Sequence, residues 1–277
     1  MMQKRMGDDS KRAALMAAAG LGGAFLAYRM MARNRQSREV GYPPLDTPKP
    51  VADNLWIVDS GPIRAMGLAL PVRMTIIRLA DGDLLLHSPT PFSLELSDRI
   101  TQVGPIRHLV APSMAHWMFV ADWQRAFPDA RTWAAPGVRD RPQVRKSGVR
   151  IDAELGEGAP DAWAGEIEQG IVPGGLGFRE IYFLHRPSRT LVLTDLIEGL
   201  EPTKLPPFTR GLMTMAGASD DRPALYLRAV LRLGGAETVR AIRSMVALEP
   251  ERVIFAHGRF FADRGGARLT RAFAGFL

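Results

Sequence analysis

The sequence predicts an α/β fold of the α+β kind, in which mixed sheets are covered by helices and an apolar helix stands at the N-terminus. Three observations predict it. Apolar runs of strand length recur between turn residues; two pairs of them sit at hairpin spacing, which excludes an all-parallel doubly wound sheet; and the C-terminal part is amphipathic at helical spacing with one late strand-like run. No period of solenoid or propeller length is visible.

In chain order, residues 13–28 form a run of 16 without a charge, between Lys11-Arg12 and Arg29. Extension to residue 32, with Arg29 snorkelling along its own stem, gives the ~20 residues that span a bilayer. This segment reads as a single-pass anchor, with a signal peptide, an interfacial helix and a soluble tail as alternatives. Localisation is accordingly membrane-associated through this helix, or else cytoplasmic. Residues 34–50 carry Pro43, Pro44, Pro48 and Pro50 among polar residues and read as a linker. The organisation is thus a basic N-terminal segment over 1–50, with the helix at 13–32, and one folded domain over 51–277.

Within the domain, strands are expected at 55–58, 74–79, 84–86, 107–111, 179–184, 191–194 and 252–256. Asp81-Gly82 makes 74–87 a tight hairpin, and residues 186–189 turn a second one. Helices are expected at 93–103, at 120–127 (stopped by Pro128), at 223–233 and 236–248 around Gly234-Gly235, and at 263–276. The insert 205–219 is apolar but unpatterned, and reads as a flap, a membrane-contacting loop or a plain connection.

Composition narrows the function classes. The chain has 277 residues, 46% hydrophobic and 23% charged, with no cysteine, so disulfides, Cys-ligated metal and thiol nucleophiles are excluded. Its net charge of +7 is concentrated at the start: residues 1–40 hold eight bases against Asp8, Asp9 and Glu39, leaving 28 bases and 26 acids in the rest. A body so nearly neutral has no phosphate-binding face, and no nucleic-acid partner is expected. There is no Gly-x-Ser-x-Gly elbow and no phosphate-binding loop, and neither Ser60-Gly61 nor Ser88-Pro89 has a base near it in the sequence.

Five histidines exist: His87, His108, His116, His185 and His257. His87 ends one apolar run, His116 follows another in the loop after residue 111, and His257 follows a third; Asp195 ends the run 191–194. Polar residues at the carboxyl ends of buried strands are where sheets with outer helices assemble their sites. Two imidazoles and a carboxylate are a zinc or iron ligand set that leaves room for water. The plainer alternatives are that His116 packs beneath a helix, that Asp195 satisfies loop amides, and that His257 turns the chain. His108 and His185 read as packing and rim residues.

The segments "LLLHSP", "LVAPSMAHWMFVADWQRAFPDA", "EIYFLHRPSRTLVLTDL" and "RVIFAHGR" together resemble the metallo-β-lactamase fold, and more narrowly an uncharacterised branch of it, domain of unknown function 4336. The resemblance spans residues 54–257 and implies an αββα sandwich of two stacked mixed sheets. It also implies metal ligands at His116, Asp195 and His257. Active members carry His-x-His-x-Asp-His where residues 111–116 read Ala-Pro-Ser-Met-Ala-His, and a further histidine near 173–177, where Pro-Gly-Gly-Leu-Gly stands. One metal pocket is therefore missing, and a mononuclear His116/Asp195/His257 site for one divalent ion (zinc, iron or manganese) is what remains. His87 stands where the fold usually places an aspartate, as a partner for acid or base work behind the ligands. No organic cofactor is expected. The functional expectation is a divergent hydrolase using a metal-bound water on an ester-like small molecule. The alternative is a metal-free, inactive fold that binds a ligand or partner, at the membrane if the N-terminal helix anchors it.

Overall fold

The structure, a computed structural model, describes residues 40–65, 68–218 and 221–277. The helix expected over 13–32 lies outside these residues, and among them no helix is long and apolar enough to cross a membrane. Residues 40–50, read as the end of a linker, belong to the folded body. Val40 is buried with Leu200, Leu205, Ala218 and Ala224, and strand β1 (Lys49–Ala52) starts there.

The first sheet places β1, β2 (Leu55–Ala65), β3 (Leu68–Arg78), β4 (Leu84–His87), β5 (Ile106–Ala111), β6 (Arg131–Ala134) and β7 (Ala153–Glu154) side by side in chain order. Neighbours from β1 to β4 are antiparallel, and from β4 to β7 parallel. The parallel steps are bridged by helices α1 (Leu94–Thr101), α2 (Val120–Ala126) and α3 (Pro142–Ser147). The second sheet contains β8 (Ile167–Pro173), β9 (Arg179–His185), β10 (Thr190–Val192) and β11 (Arg252–Ile254), in the order β11-β10-β9-β8. Only its β10–β11 pair is parallel. The long β10–β11 crossover carries α4 (Pro207–Met215), α5 (Leu225–Leu233) and α6 (Gly235–Val246), and α7 (Gly265–Ala272) closes the chain.

Side-chain alternation explains the stacking. Ile181 and Phe183 of β9, Val192 of β10 and Ile254 of β11 face the first sheet and share a core with its buried residues Leu55, Ile77, Leu85 and Val110. Their neighbours Tyr182, Leu184, Leu191 and Val253 turn the other way, against Leu227, Leu231, Ile242 and Leu269 of the C-terminal helices. Residues i and i+2 share a face of a strand, so each strand of the second sheet feeds two cores. β4 is buried at all four positions. That is why 84–86 reads as a continuous apolar run rather than an alternating one. The order helices, sheet, sheet, helices is the αββα layering that the resemblance implies.

Both expected hairpins form: Thr75 pairs with His87 around a turn in which Gly82 adopts φ +92, and Thr190 pairs with His185 across residues 186–189. Ser93 caps α1 by accepting from the Leu96 N–H at 3.2 Å. The insert 205–219 contains helix α4 instead of an irregular loop. Strands β6, β7 and β8 were not expected. β6 is only four residues long and opens on Arg131, and β8 (IEQGIVP) mixes Glu168, Gln169 and Gly170 into its apolar residues.

Trp163 closes the gap between the sheets at one end, 1% exposed, with its ring 4.8 Å from Trp133 and 5.8 Å from Phe183. Its Nε1 donates to Gln169 Oε1 at 3.1 Å. Trp163→Ala is expected to cost about 3–5 kcal/mol of stability, read as a fall in the urea midpoint. A loss below about 1 kcal/mol would mean that this ring is not part of the core.

Candidate metal centre

Three chain segments converge where the two sheets meet. The loop after β5 carries Ser113 and His116, the segment after β10 carries Asp195, and the segment after β11 carries His257. Ile181 N–H donates to Pro112 O at 2.8 Å, and Ser113 forms a bridge to Glu180, so the β5 loop is stitched directly onto β9.

Asp195 is the centre of the cluster. Its Oδ1 lies 3.0 Å from His116 Nε2 and 3.3 Å from His257 Nε2, and Ser113 Oγ donates to its Oδ2 at 3.4 Å. One ligand atom from each of His116, Asp195 and His257 falls within 4.8 Å of the others. Ser113 occupies the place of a histidine in the resemblance, and here its hydroxyl binds the carboxylate instead of a metal.

Each of the three residues is held from behind. The buried carboxylate of Glu180 accepts from the backbone N–H groups of Thr194 (2.6 Å), Asp195 (2.8 Å) and Leu196 (3.1 Å), which fixes the turn that presents Asp195. His257 Nδ1 donates to Pro71 O at 2.8 Å. That bond puts the hydrogen on Nδ1 and leaves Nε2 facing Asp195, the arrangement that metal-bound histidines use to fix tautomer and ring direction. The Nδ1 of His116 lies 2.6 Å from Ser88 Oγ. Arg73, 3% exposed, brackets His257 by donating to Phe255 O at 2.9 Å and Gly258 O at 2.8 Å, and its charge is met by Asp59 at 2.6 Å.

Gly258 explains the His-Gly pair seen in the sequence. Its φ is +89, and a Cβ there would sit 2.1 Å from Gly199 O. Gly199 N–H donates to His257 O at 3.0 Å and Arg259 N–H to Gly199 O at 2.9 Å. No side chain fits between these backbones, so the segments bearing Asp195 and His257 are locked together.

The electrostatics follow from this packing. Burial pushes Asp195 up, but the charges and hydrogen bonds of His116 and His257 outweigh it and hold the carboxyl well below its ordinary value. Burial pulls His257 down, and its hydrogen bond and charge interaction with Asp195 more than reverse this, raising it to about 9. Glu180 is pushed up by burial and by the Asp195 charge. The cluster therefore concentrates one firmly ionised carboxylate and favours a cation beside it.

His116, Asp195, His257, Ser88 and Ser113 line a cavity of about 360 Å³ whose other walls include Leu70, Val72, Phe119 and Leu227. Two further polar residues, Glu198 and Tyr226, had no sequence signal as site residues. Tyr226 Oη donates to Glu198 Oε1 at 2.8 Å, while Glu198 Oε2 is buried with no partner among the described residues. Burial pushes the carboxyl of Glu198 up. Arg141 also lines the cavity, and its buried Nε has no hydrogen-bond partner there.

The structure does not bring His87 to this cavity. Its side chain is buried, its ring lies 5.2 Å from Phe183, and its Nε2 has no partner among the described residues. The next residue, Ser88, is the one that touches the cluster. His108 accepts from Trp133 Nε1 at 3.2 Å and packs on Trp163, and His185 pairs with Ser188 in the second hairpin at 2.7 Å. Pro173 ends β8 and Gly175–Gly177 form a short turn where the resemblance puts a further histidine.

Solved metallo-β-lactamases share this architecture. The enzyme from Pontibacter korlensis matches with a TM-score of 0.57 at 13% identity, covering 83% of this chain and 97% of that one. That from Hirschia baltica gives 0.56 at 16%, covering 83% and 96%. FIM-1 from Pseudomonas aeruginosa, solved in a mono-zinc form, gives 0.54 at 16%, covering 83% and 93%. At such identities the likeness is one of fold: this is a metallo-β-lactamase-fold protein. The family model described as Domain of unknown function (DUF4336) matches residues 52–223, and the chain belongs to that family. No curated protein matches it.

Burial, and secondarily the charge of His116, lowers His87 from 6.5 to about 3. Because the folded value lies below the unfolded one, the stabilisation from neutral His87 is complete above pH 6.5 and is lost as pH falls toward 3. Between pH 6 and 4, His87→Phe is expected to reduce the pH slope of the unfolding free energy by about 1.4 kcal/mol per pH unit. An unchanged slope in urea titrations would show that His87 is charged in the fold.

Proposed function

We propose that this protein is a hydrolase of ester-like small molecules that holds one divalent ion, zinc, iron or manganese, on His116, Asp195 and His257. The observation that carries the reading is the convergence of two imidazole nitrogens on one carboxylate oxygen, at 3.0 and 3.3 Å, in a cavity with room for a substrate. Ligands ~2.0–2.2 Å from a tetrahedral ion stand roughly 3.3–3.6 Å apart, so the two nitrogen–oxygen pairs are near their working separation. The imidazoles, within 4.8 Å of each other, need close by only roughly 1 Å. When bound, such an ion supplies an activated water and a Lewis acid for the substrate oxygen.

The remaining residues have roles that follow from their positions. Pro71 O and Ser88 Oγ hold the two rings so that Nε2 of each faces the site. Leu70, Val72, Phe119 and Leu227 keep bulk water from the reacting group. Buried Glu198 and the more exposed Tyr226 form a proton-holding pair on the cavity wall, suited to a leaving oxygen. Arg141, with its unpartnered Nε, suits a substrate that carries an anionic group.

Full-length protein purified without chelator or affinity metal is expected to contain about one equivalent of zinc, iron or manganese by inductively coupled plasma mass spectrometry. The His116→Ala/His257→Ala double variant is expected to lose it while keeping its circular dichroism. Asp195→Asn alone should weaken metal affinity by at least about 100-fold, since ligand loss exceeds the 10–100-fold cost of losing a supporting group. Absence of metal after reconstitution with all three ions would overturn the proposal.

A further inference from the structure

The hydrogen bonds around His116 have a second chemical meaning. Ser88 Oγ lies 2.6 Å from His116 Nδ1, and His116 Nε2 lies 3.0 Å from Asp195 Oδ1. A hydroxyl, an imidazole and a carboxylate in unbroken hydrogen-bond series are the working parts of a serine nucleophile. The ring nitrogens exchange roles relative to the usual serine hydrolase. Nδ1 serves the hydroxyl and Nε2–H donates to the carboxylate, which is chemically equivalent because either nitrogen can take the proton. Residues 88, 116 and 195 are far apart in the chain, which is why Ser88 showed no base near it in the sequence.

Ser88 is also placed as a nucleophile would be. It lines the cavity beside His116 and Asp195. It follows β4 directly and adopts φ +57, a left-handed conformation that costs a residue with a Cβ of order 1 kcal/mol or more. Ser88 N–H donates to Val110 O at 3.0 Å, so the strained residue is anchored on β5. We infer that the metal-free form of this protein has an activity of its own: Ser88 attacks carboxylic esters, with His116 as general base and Asp195 as the positioning residue.

The step balances without any further reactant. Ser88 Oγ bonds to the ester carbonyl carbon as its proton passes to His116 Nδ1. The bond from that carbon to the alcohol oxygen breaks, and the departing oxygen takes the proton from Nδ1, leaving an acyl group on Ser88 and a free alcohol. Water then repeats the exchange: its proton goes to Nδ1, its oxygen bonds to the acyl carbon, and Ser88 Oγ leaves with the proton restored. An ion on Nε2 would keep His116 in the Nδ1–H form, donating to Ser88 instead of accepting from it, so metal loading and serine attack exclude one another.

The test uses full-length protein stripped with EDTA and treated with a fluorophosphonate probe, followed by intact mass and peptide mapping. One phosphonyl adduct on Ser88 is expected. It should be absent in Ser88→Ala and form at least about 100-fold more slowly in His116→Ala, the usual contribution of a general base. Reloading with one equivalent of zinc before the probe should suppress it. No adduct on Ser88 in stripped wild-type protein overturns the inference, however the variants fold, and so does an equal rate in folded His116→Ala. An adduct that forms on Ser88 while zinc neither binds nor protects would sustain the serine activity and defeat the metal reading, so the two fail separately.

Discussion

Asp195 Oδ1 faces the Nε2 atoms of both His116 and His257, and that three-way contact is the constraint on which the rest of the site depends. A carboxylate oxygen has only lone pairs to offer, and a neutral imidazole whose hydrogen sits on Nδ1 offers a lone pair as well. Three such atoms repel unless a positive charge stands among them. For His257 the Nδ1 hydrogen is committed to Pro71 O, so either a second proton or a metal ion must occupy the Nε2 side. Without a metal, Asp195 draws that proton onto His257. The site is thus a cation trap, and its chemistry depends on which cation is in it.

The scaffold is arranged to hold this contact. Glu180 projects from β9 into the turn that carries Asp195 and ties down three successive N–H groups. Arg73 of β3 reaches two carbonyls on either side of His257, and Gly199 meets Gly258 so closely that no Cβ fits. Buried charged groups of this kind are costly unless fully paired. Glu180 is met by three backbone donors, and Arg73 by Asp59 and two carbonyls, with its Nε alone left without a hydrogen-bond partner among the described residues. They tie β3, β9, β10 and β11 to one point, so the two sheets share a site where they meet.

Much of this was legible in the sequence because strand ends are legible. His116, Asp195 and His257 each follow an apolar run, and the structure draws all three together. Ser88 was not, since its base arrives from a loop 28 residues further on, and pairing across a parallel β4–β5 step leaves no local pattern. Glu180 sits in the expected strand 179–184, but a single acid among apolar residues does not reveal that it faces a turn. Glu198 and Tyr226 come together only because the crossover folds α5 back over the site. His87 looked better placed than Ser88, yet strand alternation turns its ring toward Phe183 and the core. Strand β8 and helix α4 were missed for opposite reasons: β8 is polar enough to pass for a loop, and α4 carries Gly211 and starts at a proline pair.

The most direct test of the cation trap is anomalous diffraction from crystals of the full chain soaked in zinc and measured on both sides of the zinc absorption edge. The account predicts one peak, ligated by His116 Nε2, an Asp195 oxygen and His257 Nε2, with Pro71 O still bonded to His257 Nδ1. A peak elsewhere, or none while the two imidazoles keep their hydrogen bonds to Asp195, would contradict it.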